Sequence, residues 1–211
     1  MWAIFKREFK SYFQNVVGWL FVAALLAVYG LYYYVYNLKN GYPYISYDLK
    51  GIAFIMMIAV PILTMRSLSD ERKSKTDQLM LTAPVSVGKI VAGKYLAMAA
   101  VFTVDIIIFA ISPLVLSIFG KVALGESYVA LLGFWLYGCA CIAVGLFISS
   151  ISESVIISAI LTFAALFISY MMQSITGLIS SSGNLLTKVL DCFDLYTPFE
   201  GYMSGCLDVT S

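Results

Sequence analysis

Between Val16 and Met172 the chain is apolar over most of its length, and this fixes its solvent before any other feature can be weighed. Five runs stand out: Val16 to Tyr36, Gly51 to Met65, Tyr95 to Phe119, Val129 to Ser149 and Val155 to Met172. About 20 helical residues, rising 1.5 Å each, cross a hydrocarbon core of about 30 Å, so each run reads as a membrane-spanning helix. The second run is short, with 15 uncharged residues between Lys50 and Arg66, and must recruit flanking residues or thin the bilayer. Charged side chains make up 12% of the 211 residues, against about 25% in soluble domains. The expected fold is an all-α polytopic membrane protein.

Orientation follows from Lys and Arg. With the N-terminus in the cytoplasm, the inner segments hold Lys6, Arg7, Lys10, Arg66, Arg72, Lys73, Lys75, Lys89 and Lys94, whereas the outer ones hold only Lys39, Lys50, Lys121 and Lys188. A cytoplasmic N-terminus is therefore expected. Met1 to Asn15 lacks the short apolar run and small-residue cleavage site of a secretory signal, so this stretch is expected to be retained. It spaces Trp2, Phe5, Phe9, Tyr12 and Phe13 by threes and fours with Lys6, Arg7 and Lys10 between them, the pattern of an amphipathic helix lying in the membrane interface. Tyr32, Tyr33, Tyr34 and Tyr36 then close the first span as an aromatic belt.

The segment Arg66 to Lys94 is the one sizeable inner loop, and Asp70 to Asp77 concentrates six charges in eight residues. Ser74 with Asp77 makes a capping box and Pro84 disfavours helix at Ala83, which predicts a short helix from about Lys75 to Thr82. A second helix starts after Ser86 and runs into the third span, where Pro113 is expected to kink it. On the fourth span Gly138, Cys141, Gly145 and Ser149 form a stripe of small residues that lets another helix approach, within one subunit or between two. Beyond Met172 come a Ser/Gly/Asn tip and an amphipathic stretch from Leu185 to Phe199.

Little here supports chemistry. There is no histidine, no paired carboxylates, no nucleophile with its base and no metal-type spacing of the four cysteines, so neither catalytic nor metal residues are expected. Gly88 to Lys94 imitates a phosphate loop but continues with Tyr95 where Ser or Thr is needed, and no strand precedes it. Asp105 lies about 15 Å into the third span, where a carboxylate is costly unless it faces protein, water or a partner; a place on a translocation path and a polar helix contact are both open. Cys192 and Cys206 are read equally well as a disulfide or as free thiols. The inner basic residues are offset by Glu8, Asp70, Glu71 and Asp77, which argues against nucleic acid as a partner.

"PILTMRSLSDERKSKTDQLMLTAPVSVGKIVAGKYLAM", Pro61 to Met98, resembles the segment between the second and third spans of ABC-2 type transporter permeases, which reads approximately P-L-L-T-M-R, E-R-R-x-G-T-x-E-x-L-L-x-A-P-V and I-V-x-G-K. "AIFKREFKSYF" near the N-terminus and "GLFISSISESVIISA" at Gly145 to Ala159 are also similar, the likeness being greatest to the gliding-motility-associated and multidrug-export branch. Lys75 stands at a glycine position of that pattern and Gln78 at a glutamate position. The resemblance implies six spans, of which this chain shows five. Residues 1–211 are thus expected to be a single permease domain lacking its last span, a five-span variant being the alternative.

The resemblance further implies a permease subunit of an ATP-driven exporter, paired with an identical or paralogous permease and docked on separate ABC ATPase subunits that carry ATP and magnesium. The chain itself would bind no cofactor and would not be an enzyme. Its 66–94 loop would supply a coupling helix, with Glu71, Arg72, Lys73, Thr76 and Gln78 at the ATPase contact, Asp105 at the translocation interface and lipid around the whole. The setting would be the cytoplasmic membrane. A non-transporting scaffold or anchor for a surface or motility assembly is the alternative.

Overall fold

The computed structural model describes residues 2–73, 86–119, 122–179 and 196–203, and among these all regular structure is helical. An N-terminal helix α1 (Trp2–Gln14) is followed by α2 (Val16–Tyr33), which continues as a π-helical stretch, Tyr34–Lys39. Then come α3 (Ser46–Thr64), the short α4 (Ser69–Lys73), α5 (Val87–Phe109), α6 (Ser112–Phe119), α7 (Leu124–Ile151), α8 (Val155–Ile179) and α9 (Tyr196–Met203). Val16–Lys39, Ser46–Thr64, Val87–Ile118 and Leu124–Ile151 are long and apolar enough to cross a membrane, and Val155–Met171 adds a shorter apolar stretch. The short second run is extended as its length requires: α3 takes in Ser46 to Lys50 ahead of Gly51 and reaches 19 residues.

In α1 the aromatic spacing becomes a ladder. Trp2, Phe5, Phe9 and Phe13 follow one another at ring separations of 5.2, 5.8 and 5.0 Å, and Phe13 meets Trp19 of α2 at 5.5 Å. The helix stops at Asn15, whose extended backbone turns the chain into α2. Trp19 Nε1 donates to the Phe13 carbonyl at 2.8 Å, which satisfies an end group that α1 would otherwise leave to solvent.

α3 is the central helix, packed on α2, α7 and α8. Its Leu49, Ile52, Met56, Val60 and Leu63 are fully enclosed. Beside it an aromatic column joins α2, α5, α7 and α9: Phe21 meets Phe102, Tyr29 stacks on Phe109 at 4.0 Å, and Phe134 lies 5.7 Å from Phe102 and 6.0 Å from Phe199. Outward-facing residues such as Ile107, Ile118, Ile156 and Ile160 are exposed, as suits a surface whose solvent is lipid.

Pro113 interrupts the helix as expected, and the interruption is a full break. It sits in the first turn of α6, where a missing N–H costs little, and the helix breaks just upstream at Ala110 and Ile111. The Phe109 carbonyl, which residue 113 would have bonded in an unbroken helix, receives the Ser112 hydroxyl at 2.7 Å instead. That hydroxyl also meets the phenol of Tyr29. At the same end the Asn37 amide donates to the buried Asp48 carboxylate, and Lys50 pairs with Glu200 of α9 at 2.8 Å.

The small stripe on α7 faces neighbours in the same chain. Gly138 lies under the Phe102 ring of α5, and a Cβ on Gly145 would stand 2.9 Å from Thr64 Cγ2 of α3. Cys141 between them is buried. Replacing Gly145 with valine is expected to wedge α3 from α7 and cost about 1–3 kcal/mol, read as a lowered melting temperature of the detergent-solubilised protein. An unchanged melting temperature would show that this contact relaxes freely.

Candidate functional site

Where α3 ends, the chain meets α1, α5 and the α7–α8 turn, and a further set of polar side chains converges. Lys94, two turns into α5, is 2% exposed. Its ammonium donates to the Ser67 carbonyl at 2.8 Å and stands 3.6 Å from Glu8 Oε1 on α1. Glu8 is also held by Arg7 Nη2 at 2.6 Å, and Tyr12 OH reaches the Leu63 carbonyl at 3.4 Å. A lysine so deep is tolerable because its charge has both a carboxylate and a carbonyl to meet. Arg7, Glu8, Tyr12, Arg66, Asp70 and Lys94 line a polar cavity of about 460 Å³ beside these contacts.

On the other side of the same segment, Ser149 near the end of α7 accepts from the backbone N–H groups of Leu68 and Ser69 at 3.2 and 3.3 Å. It also shares a 3.0 Å hydrogen bond with the Ser69 hydroxyl, which itself donates to the Met65 carbonyl. Arg72 on α4 reaches the other way. Its Nη1 donates to the carbonyls of Ser150 and Ile151 at 2.8 and 3.1 Å, with Nε 3.8 Å from Glu153. Two N–H groups at the start of α4 and two carbonyls at the end of α7, which no helical partner would satisfy, are thus satisfied across the junction.

The residues expected at an ATPase contact divide accordingly. Arg72 is turned toward the α7–α8 turn while its side chain stays 43% exposed. Glu71 and Lys73 lie in α4, with their side chains outside the described residues. Thr76, Gln78 and the expected helix from Lys75 to Thr82 with its capping box fall outside the described residues altogether, as do Cys192 and Cys206. Asp105 is fully enclosed on the inner face of α5, one turn from Phe102 and one from Phe109, and neither carboxyl oxygen has a hydrogen-bond partner among the described residues. Gly93 and Lys94, part of the phosphate-loop imitation, lie inside the continuous helix α5. Among the described residues no group of three or more Cys, Asp or Glu is placed to hold a metal.

Lys94 and Ser149 were not singled out as site residues in the sequence. Lys94 closes the I-V-x-G-K element and Ser149 ends the small stripe, but nothing in a linear pattern says that an ammonium points inward or that a small residue is there for its hydroxyl. The junction joins a short charged helix to α3, α5 and α7.

No curated protein and no solved structure matches this chain. The family model described as ABC-2 family transporter protein matches residues 27–207, most of the chain including α3, α4, α5, α7 and α8. The protein therefore belongs to the ABC-2 transporter family, as a multi-pass membrane permease of an ABC transporter.

Proposed function

We propose that this chain is the membrane subunit of an ABC exporter in the cytoplasmic membrane, with its N-terminus in the cytoplasm, driven by a separate ATPase subunit that docks on the segment from Arg66 to Lys94. Two permease chains would pair over two ATPases and move a hydrophobic or amphipathic molecule between them, in the manner of the gliding-motility-associated and multidrug-export branch. ATP and magnesium stay on the ATPase. The observation that carries this reading is the junction itself. A charged five-residue helix stands at the end of a membrane bundle and is fastened to α5 through Lys94 and to α7 through Ser149 and Arg72. A motor that differs in shape between its ATP-bound and empty states shifts the permease only through contacts that differ between those states, and such contacts need a rigid lever.

Glu71, Lys73, Thr76 and Gln78 are the docking residues in this reading, with Arg72 behind them and Asp105 on the translocation path. The test is charge reversal on the docking face. Glu71→Lys combined with Lys73→Glu should abolish co-purification of the ATPase while the permease still inserts and keeps its melting temperature. A double variant that still co-purifies and supports normal ATP hydrolysis would remove these residues from the interface. If the wild-type permease captures no ATPase at all, the scaffold or anchor reading takes its place.

A further inference from the structure

We propose that Ser149 and Arg72 form a two-way latch that makes α4 and the α7–α8 turn one rigid body, so that a push on α4 moves α7 and α8 together with α5. This rests on the coupling role proposed above and assigns Arg72 to positioning within it. The argument begins with helix ends. A short helix such as α4 cannot satisfy its first N–H groups or hold its own direction, because nucleation costs more than one turn returns. Here α7 supplies what is missing: Ser149 Oγ takes the Leu68 and Ser69 N–H groups, as an N-cap side chain does, except that it comes from another helix.

The second half runs in reverse. α7 ends at Ile151, and its last carbonyls carry the partial negative charge of a helix C-terminus. Arg72 places its guanidinium there and donates to Ser150 and Ile151 through a single nitrogen. The resulting bonds are charge-assisted and roughly twice as strong as neutral ones. Each helix therefore completes the other's end, and neither bond set survives if the two elements separate. The hydroxyl contact between Ser69 and Ser149, at 3.0 Å, lies on the seam between them. Glu153, 3.8 Å from Arg72 Nε, extends the latch into the turn that starts α8.

A docking arginine and a latch arginine behave differently when removed. In the permease–ATPase complex, Arg72→Ala should leave co-purification intact and reduce permease-dependent ATP hydrolysis by about tenfold, the loss expected for a charge-assisted hydrogen-bond pair. Ser149→Ala should give the same split, whereas Ser149→Thr, which keeps the hydroxyl, should restore most of the rate. Loss of co-purification in Arg72→Ala would make it a docking residue and overturn the latch while leaving the coupling reading in place. Unchanged hydrolysis in both alanine variants would overturn the latch outright.

A second arm guards against variants that simply misfold. Ser69→Cys with Ser149→Cys should form an oxidant-dependent bridge in membranes, with oxidised wild type as the control. Because the two elements move together, the bridged complex should keep more than half of its ATP turnover. Failure of the bridge to form, or a block of turnover that reducing agent relieves, would show that the seam opens in each cycle and that the proposal is wrong.

Discussion

Lys94→Met is expected to loosen the end of the bundle and to lower stability by about 3 kcal/mol. The substitution keeps an apolar stem of similar length and removes the ammonium. That leaves the Ser67 carbonyl without its 2.8 Å donor and takes away the cation 3.6 Å from Glu8. Breaking a buried ion pair from one side costs about 3–5 kcal/mol. The lower end applies because Glu8 retains some exposure and keeps Arg7 at 2.6 Å. The loss should appear in thermal unfolding of the detergent-solubilised protein, and Glu8→Gln added to Lys94→Met should recover part of it, since a part-buried carboxylate that has lost its Lys94 partner is then replaced by a neutral amide. A melting temperature unchanged by Lys94→Met would mean that Ser67 and Glu8 find solvent without cost, and that Lys94 does not fasten the segment after α3.

Asp105→Val is expected to do the opposite for stability. Both carboxyl oxygens are enclosed with no hydrogen-bond partner among the described residues, and an unsatisfied buried polar group costs about 1–3 kcal/mol. Valine supplies a comparable bulk without that cost, so the variant should melt higher than wild type. If Asp105 serves the translocation path, as proposed, the same variant should lose most of its permease-dependent ATP turnover. A stabilised variant with full turnover would mark Asp105 as a polar residue of packing alone. A destabilised one would show that the carboxyl group has a partner it depends on. The two residues thus separate cleanly: Lys94 is a buried charge with partners, and Asp105 is a buried carboxyl without a hydrogen-bond partner among the described residues.

Much of the architecture was legible in the linear pattern because helix length against bilayer thickness is a local property. The runs beginning at Val129 and Val155 each fall within one helix, those beginning at Val16 and Tyr95 each cover a helix and the helical piece that follows it, and the one beginning at Gly51 ends one residue beyond α3. The α1 face was legible for the same reason: a 3.6-residue period puts Phe5, Phe9 and Phe13 on one side before any partner is known. The interruption at Pro113 was legible because a proline disturbs the turn before it, but that it is a full break rather than a kink depends on another donor, here Ser112, serving the Phe109 carbonyl.

The candidate site was less legible. Sequence resemblance pointed to Glu71, Arg72, Lys73, Thr76 and Gln78 as one set, and nothing in it showed that Arg72 also donates to the end of α7. Its direction depends on where the end of α7 lies, 78 residues away in the chain, and no periodicity encodes that.

The sequence by itself determined the solvent, the class of fold and the family, because each of these rests on apolar length, charge placement and contiguous motif. Tertiary structure alone decided which polar groups meet. Lys94 with Glu8 and Ser67, Ser149 with the start of α4, and Arg72 with the end of α7 are pairings between segments far apart in sequence. They arise because helix packing brings unsatisfied helix ends and buried charges together in a medium that offers them no water.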